Sequence, residues 1–572
     1  MNRREFLAAS CIAGAVGLKE AMKVSAALLA GGIHGASNGA LAQERIASPI
    51  HFSPRPIAFS LDSCETPQRH APETMAGGVA VFDYDRDGRP DIFFTNGANI
   101  KTLKKDSPKY WNRLFRNNGN NTFTDVTEKA GLKGTGFDVG VAIGDYDNDG
   151  FGDVFVAGVY QNTLYHNNGD GTFTDVTQKA GLAQPDKEYG PLWSVGAAWV
   201  DINNDGLLDL FVVNYLSWNG AKEPDCRYEG KPEYCHPKFY RPQPSQLFLN
   251  NGNGTFTDIS KESGIRAHLG KGMSAVIADY NHDGLPDIFV TNDKLFNYFY
   301  RNMGHNRFEE VAFELGVALP EHGNLISGMG ADFRDLNNDG YSDIVLAALQ
   351  SETFPVYQNR SGNSFEEITA RSGMTVLSEP MSGYSVNIAD FDNDGWKDIF
   401  VSRGDVASPN MADRIQVDQP NTVFRNLRGK WEALTERAGF AALPPRRHRG
   451  AAVGDFNGDG RPDLVVTALS APAEIWINDS PGNNHWLNIS LRGTKSNRDG
   501  IGARIKLTTG SGVQFNHMTT ASGYASSSSG PVHFGLGESR IADEIEIRWP
   551  SGTVQILKNI AADQILDVKE PK

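Results

Sequence analysis

Seven nine-residue stretches carry aspartate at positions 1, 5 and 9, aspartate or asparagine at position 3 and glycine at position 6. They comprise Asp83, Asp85, Asp87 and Asp91; Asp145, Asp147, Asp149 and Asp153; Asp201, Asn203, Asp205 and Asp209; Asp279, Asn281, Asp283 and Asp287; Asp335, Asn337, Asp339 and Asp343; Asp390, Asp392, Asp394 and Asp398; and Asp455, Asn457, Asp459 and Asp463. Such spacing points to a cage for a hard cation. Calcium takes six to eight oxygen ligands at about 2.3–2.6 Å, and the invariant glycine suits the sharp turn that a wrapped ion requires. An EF-hand is excluded, because its closing glutamate stands at position 12, whereas here an apolar run of strand character follows position 9 at once. One isolated copy would read equally well as an Asx-rich turn. Seven copies sharing the ninth-position aspartate favour metal, since a turn has no use for convergent acids. The 28 residues are therefore candidate ligands for up to seven calcium ions. Loops with a fourth carboxylate, at Asp85, Asp147 and Asp392, are expected to bind more tightly than those with asparagine.

The loops begin 62, 56, 78, 56, 55 and 65 residues apart, which marks a repeat protein. Between loops the same four strand-length segments recur. In the second unit GVAIGDYD enters the loop, DVFVAGVY leaves it, TLYHNNG runs into the turn Asn168–Gly171, and TFTDVTQKAG closes the unit. Four strands repeated seven times predict an all-β, seven-bladed β-propeller. The seventh unit lacks its fourth strand, and the segment near Ile57–Leu61 has no unit of its own. The N-terminal segment is therefore expected to complete the last blade.

The net charge of −15 excludes a nucleic-acid partner, and it is local: the loops hold 24 of the 69 acidic residues. The N-terminus carries Arg3-Arg4, Phe6-Leu7 and a mildly apolar Ala/Gly-rich stretch ending at Ala40-Leu41-Ala42. This reads as a twin-arginine export signal over residues 1–42, placing the mature protein in the periplasm or outside the cell. No later stretch suits a transmembrane anchor. An oxidising compartment permits a disulfide, expected between Cys226 and Cys235 across a short loop, leaving Cys64 free. That pair lies in a Pro- and Tyr-rich insertion, residues 215–244, which reads either as a binding loop or as a tied lid.

From residue 483 the acidic repeat gives way to alternating segments such as HWLNISL, ARIKLTT and EIEIRW, which predict a small all-β domain over 483–572. With Ser496-Asn497-Arg498, Gly500–Arg504, His533–Gly537 and Trp549–Gly552, this region resembles the ASPIC/UnbV domain. The acidic loops resemble FG-GAP/VCBS repeats. Together they resemble bacterial relatives of cartilage acidic protein, which implies a secreted calcium-binding propeller and little about chemistry.

No zinc, phosphate-loop or dinucleotide motif survives scrutiny, and the one G-x-S-x-G, at Gly35–Gly39, follows no strand. His282, at loop position 4, reads as a surface residue. Arg446, Arg447 and Arg449 around His448 read as a solvated basic turn or an anion site, and Arg403-Gly404-Asp405 as a chance tripeptide. The function expected is a calcium-stabilised binding, adhesion or scaffold protein for carbohydrate or protein ligands. The competing reading is a lyase, isomerase or cyclase with a pocket at the propeller axis.

Overall fold

The computed structural model describes residues 48–183 and 185–572. The twin-arginine segment and the Gly35–Gly39 stretch lie outside the described residues. The chain from Ser48 builds seven four-stranded antiparallel sheets, one per acidic loop, numbered here by their loops. In sheet II, Asp138–Gly144 pairs with Asp153–Gly158, then Thr163–Asn167 and Phe173–Asp175. Valine, isoleucine and aromatic residues fill the first two strands, which are buried on both faces and therefore read as continuous apolar runs. In every sheet the ninth loop position opens the second strand, as Asp91, Asp153, Asp209, Asp287, Asp343, Asp398 and Asp463.

The sheets stand around an axis, with each first strand neighbouring the next and His448–Gly454 of sheet VII neighbouring Val79–Phe82 of sheet I. Strand Phe52–Ser60 pairs antiparallel with Pro472–Asn478, running from Phe52 opposite Asn478 to Ser60 opposite Pro472. Sheet VII thus takes its fourth strand from the beginning of the described chain. Apolar side chains anchor it: Phe52 stacks on Phe440, while Phe59 stacks on Phe94 of sheet I.

Residues 485–569 form a three-stranded and a four-stranded sheet. They lie against the acidic-loop side, where Arg498 N donates to Asn148 Oδ1 (2.7 Å) and Lys397 Nζ donates to the Phe515 carbonyl (2.8 Å). From this region residues 520–529 enter the ring. Two short strands, Ala521–Ser522 and Ser526–Ser528, extend sheet I, with Ala80 parallel to Ser527. Further bonds reach sheets II, IV, V, VI and VII: Val141 N to Ala525 O, Ser274 Oγ to Gly523 O, Gly523 N to Ala331 O, Tyr524 N to Ser385 Oγ, and Val453 N to Ser528 Oγ. Glycines immediately before the first strands of sheets I and V make the room. A Cβ on Gly78 would lie 2.3 Å from Ala525 O, and one on Gly330 2.7 Å from Tyr524 N.

On the opposite side the insertion crosses the ring. Cys226 and Cys235 are joined, with a Cα–Cα distance of 5.4 Å, and Cys64 is free, as the sequence predicts. Tyr234 Oη donates to Glu73 Oε2 (3.1 Å), Lys271 Nζ to Pro237 O (2.8 Å), and Ser408 Oγ to Glu233 Oε2 (2.5 Å). The insertion is therefore tied to connections belonging to sheets I, IV and VI. It acts as a roof rather than as a guard for one blade edge.

Candidate metal loops

Six of the seven loops are wound by the same set of hydrogen bonds; in the fifth, Asp335 Oδ1 accepts the Asn337 amide instead of that of Asp339. In the second, Asp145 accepts the Asp149 amide on Oδ1 (3.0 Å) and the Gly150 amide on Oδ2 (2.7 Å), and Asp149 Oδ1 accepts the Phe151 amide (2.8 Å). Position 4 is left-handed in all seven, from Asn393 at φ 55° to Gly458 at 72°, and position 6 is a left-handed glycine. A left-handed site favours the asparagine, histidine and glycine found at position 4 of six loops, Arg86 being the exception. His282 is exposed and stacks on Tyr341 at 4.2 Å, so it stays a surface residue. Asparagines at this position link neighbouring loops: Asn148 Nδ2 donates to Gly206 O (2.8 Å), and Asn204 Nδ2 to Gly284 O (2.8 Å).

The ninth-position aspartate is both a candidate ligand and a staple. Asp91 Oδ2 accepts the Tyr84 amide (3.1 Å) and its Oδ1 the amide of Asn117 (2.7 Å), which ends the third strand. The same pair of bonds recurs at the other six loops. The asparagines so held then reach the preceding sheet. Asn167 Nδ2 donates to Tyr84 O, Asn250 to Tyr146 O, Asn302 to Ile202 O, Asn359 to Tyr280 O, Asn426 to Leu336 O and Asn478 to Phe391 O. Asn117 Nδ2 reaches Phe456 O of sheet VII at 2.9 Å and closes the series. Sequence reasoning missed these seven residues. Their signal is the asparagine that ends each third strand, recurring once per unit.

Burial works against charge in these loops. It pushes Asp91 and Asp145 up to about 8 and Asp153 to about 7, and it holds Asp209, Asp287, Asp343, Asp390, Asp398 and Asp463 well above the carboxylate range. Oxygens of Asp83, Asp85 and Asp91 lie within 4.8 Å of one another, as do those of Asp390, Asp392 and Asp398, and of Asp145, Asp147 and Asp149. A further grouping adds His166, whose Nδ1 lies 3.3 Å from Asp147 Oδ2 and 3.2 Å from Asp153 Oδ1. The sequence did not single out His166. Two buried oxygens, Asp85 Oδ1 and Asp392 Oδ1, have no hydrogen-bond partner. A buried carboxylate oxygen without a donor is costly unless a cation completes it. The donor set is all oxygen, apart from His166, and therefore fits calcium.

The other candidates resolve differently. Arg449 is fully buried and donates to the carbonyls of Thr74, His448 and Asp405. Arg447 meets Glu65 at 2.7 Å and Arg446 meets Glu474 at 3.1 Å. The cluster is thus neither a solvated turn nor a free anion site, because backbone carbonyls and carboxylates already take its charges. Arg403 and Asp405 are 1% and 4% exposed, which removes the tripeptide from any partner's reach. The axis is filled rather than hollow. Tyr524, fully buried, donates its hydroxyl to Met75 O (2.7 Å) and packs edge-on against Tyr384.

These features define a repeat protein of small antiparallel sheets whose acidic loops could hold a metal ion. Models of the FG-GAP-like repeat match residues 83–156, 145–212, 239–290 and 335–401, an FG-GAP repeat matches 449–483, and the ASPIC and UnbV model matches 493–572. The chain is an FG-GAP-repeat protein with a C-terminal ASPIC/UnbV domain. Human cartilage acidic protein 1 is 28% identical over 383 residues, covering 65% of this chain and 52% of the human protein. The mouse protein is 27% identical over 384 residues, with 65% and 54% covered. The chain thus spans about half the length of these relatives. Integrin alpha-4 of Xenopus laevis matches 23% of the chain at 26% identity, covering 14% of that protein. Among solved structures, an Agrocybe aegerita lectin recognising non-reducing terminal N-acetylglucosamine aligns with a TM-score of 0.38 at 18% identity, covering 70% of this chain and 87% of the lectin.

Proposed function

We propose that this is an exported, calcium-binding propeller that serves as a binding or scaffold protein for carbohydrate or protein ligands. The carrying observation is the pair of buried, unpartnered position-3 oxygens, Asp85 Oδ1 and Asp392 Oδ1, within loops of otherwise repeated geometry. The candidate ligands are the aspartates and asparagines at positions 1, 3, 5 and 9 of all seven loops. When bound, the ion would supply the positive charge that these crowded carboxylates lack. Its role in this reading is to pin each loop between two strands. A disulfide, and the absence among the described residues of any helix long and apolar enough to cross a membrane, are compatible with export. The twin-arginine signal and periplasmic destination remain part of this proposal.

A ligand site compatible with the reading is a cleft of about 420 Å³ between the third to fifth loops and the C-terminal region. Arg504, Arg548 and Lys506 face Asp279 and Glu546 there, with Trp549 in the wall. Alternating charges beside an aromatic ring suit a polar, hydroxyl-rich ligand. Calcium stoichiometry by calorimetry and elemental analysis tests the metal. Asp149→Ala is expected to remove about one ion and to reduce the calcium-dependent rise in melting temperature, whereas Asp170→Ala, in an exposed turn, leaves both unchanged. A melting temperature indifferent to chelator would refute the reading. A glycan and metabolite screen on the calcium-loaded protein, repeated with Arg504→Ala, tests the cleft.

A further inference from the structure

The third ligand position is aspartate in three loops and asparagine in four, and each choice has its own partner. Arg116, on the third strand of sheet I, donates from Nε to Asp85 Oδ2 (2.6 Å) and from Nη2 to Asp87 Oδ2 (2.7 Å). Arg425, at the same place in sheet VI, donates from Nε to Asp392 Oδ2 (2.8 Å) and from Nη2 to Asp394 Oδ2 (3.2 Å). In both loops the opposite oxygen of position 3, Oδ1, is the buried atom without a partner, and the Asp392 side chain is only 5% exposed. Where position 3 is asparagine, its own amide does the corresponding work. Nδ2 of Asn203, Asn281, Asn337 and Asn457 donates to the position-5 Oδ2 at 2.9–3.1 Å, and the Oδ1 of each accepts the position-5 amide. The third strand then offers Leu249, Arg301, Gln358 or Ile477 at the matching place. Arg301 donates instead to Tyr280 Oη and to Glu314, and to neither position 3 nor position 5.

We propose that Arg116 and Arg425 are positioning residues of the first and sixth cation sites, gripping the outer oxygens of positions 3 and 5 so that the inner oxygens face the ion. The inference rests on the calcium reading above. It also changes an expectation: in these two loops the third-strand guanidinium offsets one carboxylate, and in the first loop Arg89 meets Asp87 as well. A higher acid count there does not by itself strengthen binding.

Charge and positioning predict opposite signs. A guanidinium close to a cation repels it, so on charge alone Arg116→Gln strengthens binding. As a positioning residue, its loss weakens binding by about 10–100-fold, the range found when partners of metal ligands are removed. The test is a calcium titration of the full chain by calorimetry, with ions counted by elemental analysis at fixed free calcium. Melting of the chelated variants serves as the folding control. Arg116→Gln is expected to weaken one site by about tenfold or more. Arg116→Lys is expected not to restore it, because an ammonium lacks the rigid two-pronged fork. The double variant Asp85→Asn/Arg116→Gln, which recreates the asparagine pattern, is expected to recover the site, and Asp392→Asn/Arg425→Gln provides the same comparison in sheet VI. An unchanged or tighter site in Arg116→Gln, full restoration by Arg116→Lys, or no recovery in the double variants overturns the proposal. A wild-type protein that takes up no calcium overturns the underlying reading as well, which separates the two failures.

Discussion

Asp91 and its six counterparts do two jobs with one carboxylate. Both oxygens accept backbone amides, so these residues hold the loop to the third strand with or without an ion, whereas the position-5 Asp149 carboxylate accepts the Phe151 amide within its own loop. Removing the Asp149 carboxylate therefore leaves the bonds to the third strand in place. The raised carboxylates carry a pH signature. A group whose folded pKa lies above its unfolded value binds more protons when native, so its contribution is greatest at low pH and is lost as pH rises through the folded pKa. With Asp91 and Asp145 near 8 and Asp153 near 7, the chelated protein is expected to lose stability between about pH 4 and 8. Thermal melts across that range check it, and a chelated protein growing more stable toward pH 8 would contradict the loop electrostatics.

At the scale of elements, the repeat was legible because strand, loop and hairpin signals return in one order. The fourth strand of sheet VII was also legible, by subtraction, since one unit lacked a strand and one segment lacked a unit. The structure runs that strand over Phe52–Ser60, starting earlier than the segment near Ile57–Leu61 that subtraction indicated. The difference arises because Phe52 is buried by Phe391 and Phe440, which lie far away in sequence. Deleting residues through Leu61 removes the buried Phe52, Ile57, Phe59 and Leu61, each worth about 1.5–3 kcal/mol when fully buried. The truncated protein is expected to melt at a clearly lower temperature in calcium and in chelator alike. Melting indistinguishable from the parent would show that the strand is dispensable.

For the whole molecule, the ring is filled from the loop side by residues 520–529 and roofed on the other by the disulfide-tied insertion. Tyr524 is the deepest point of the first contact. Tyr524→Ala removes a fully buried ring and leaves Met75 O without its donor, and it is expected to cost about 3–5 kcal/mol, as large-to-small core changes do. Chemical denaturation measures it, and a loss below about 1 kcal/mol would mean that the segment merely rests in the ring.

The sequence by itself determined the repeat, the acidic loop positions, the Cys226–Cys235 pairing and the all-β character of the C-terminal region, because each is written in local spacing and periodicity. Only the tertiary structure decided what the small residues TTASGYASSSS do, since a run of serine, glycine and alanine reads as a loop until the glycines of distant strands are seen to make room for it. Distance in the chain also hid the asparagine links between sheets, the grip of Arg116 on Asp85 and the burial of Arg449. Hydrogen bonds and ion pairs of this kind join residues far apart in the chain, so even where the asparagines recur once per unit, chain order does not say which carbonyl each one reaches.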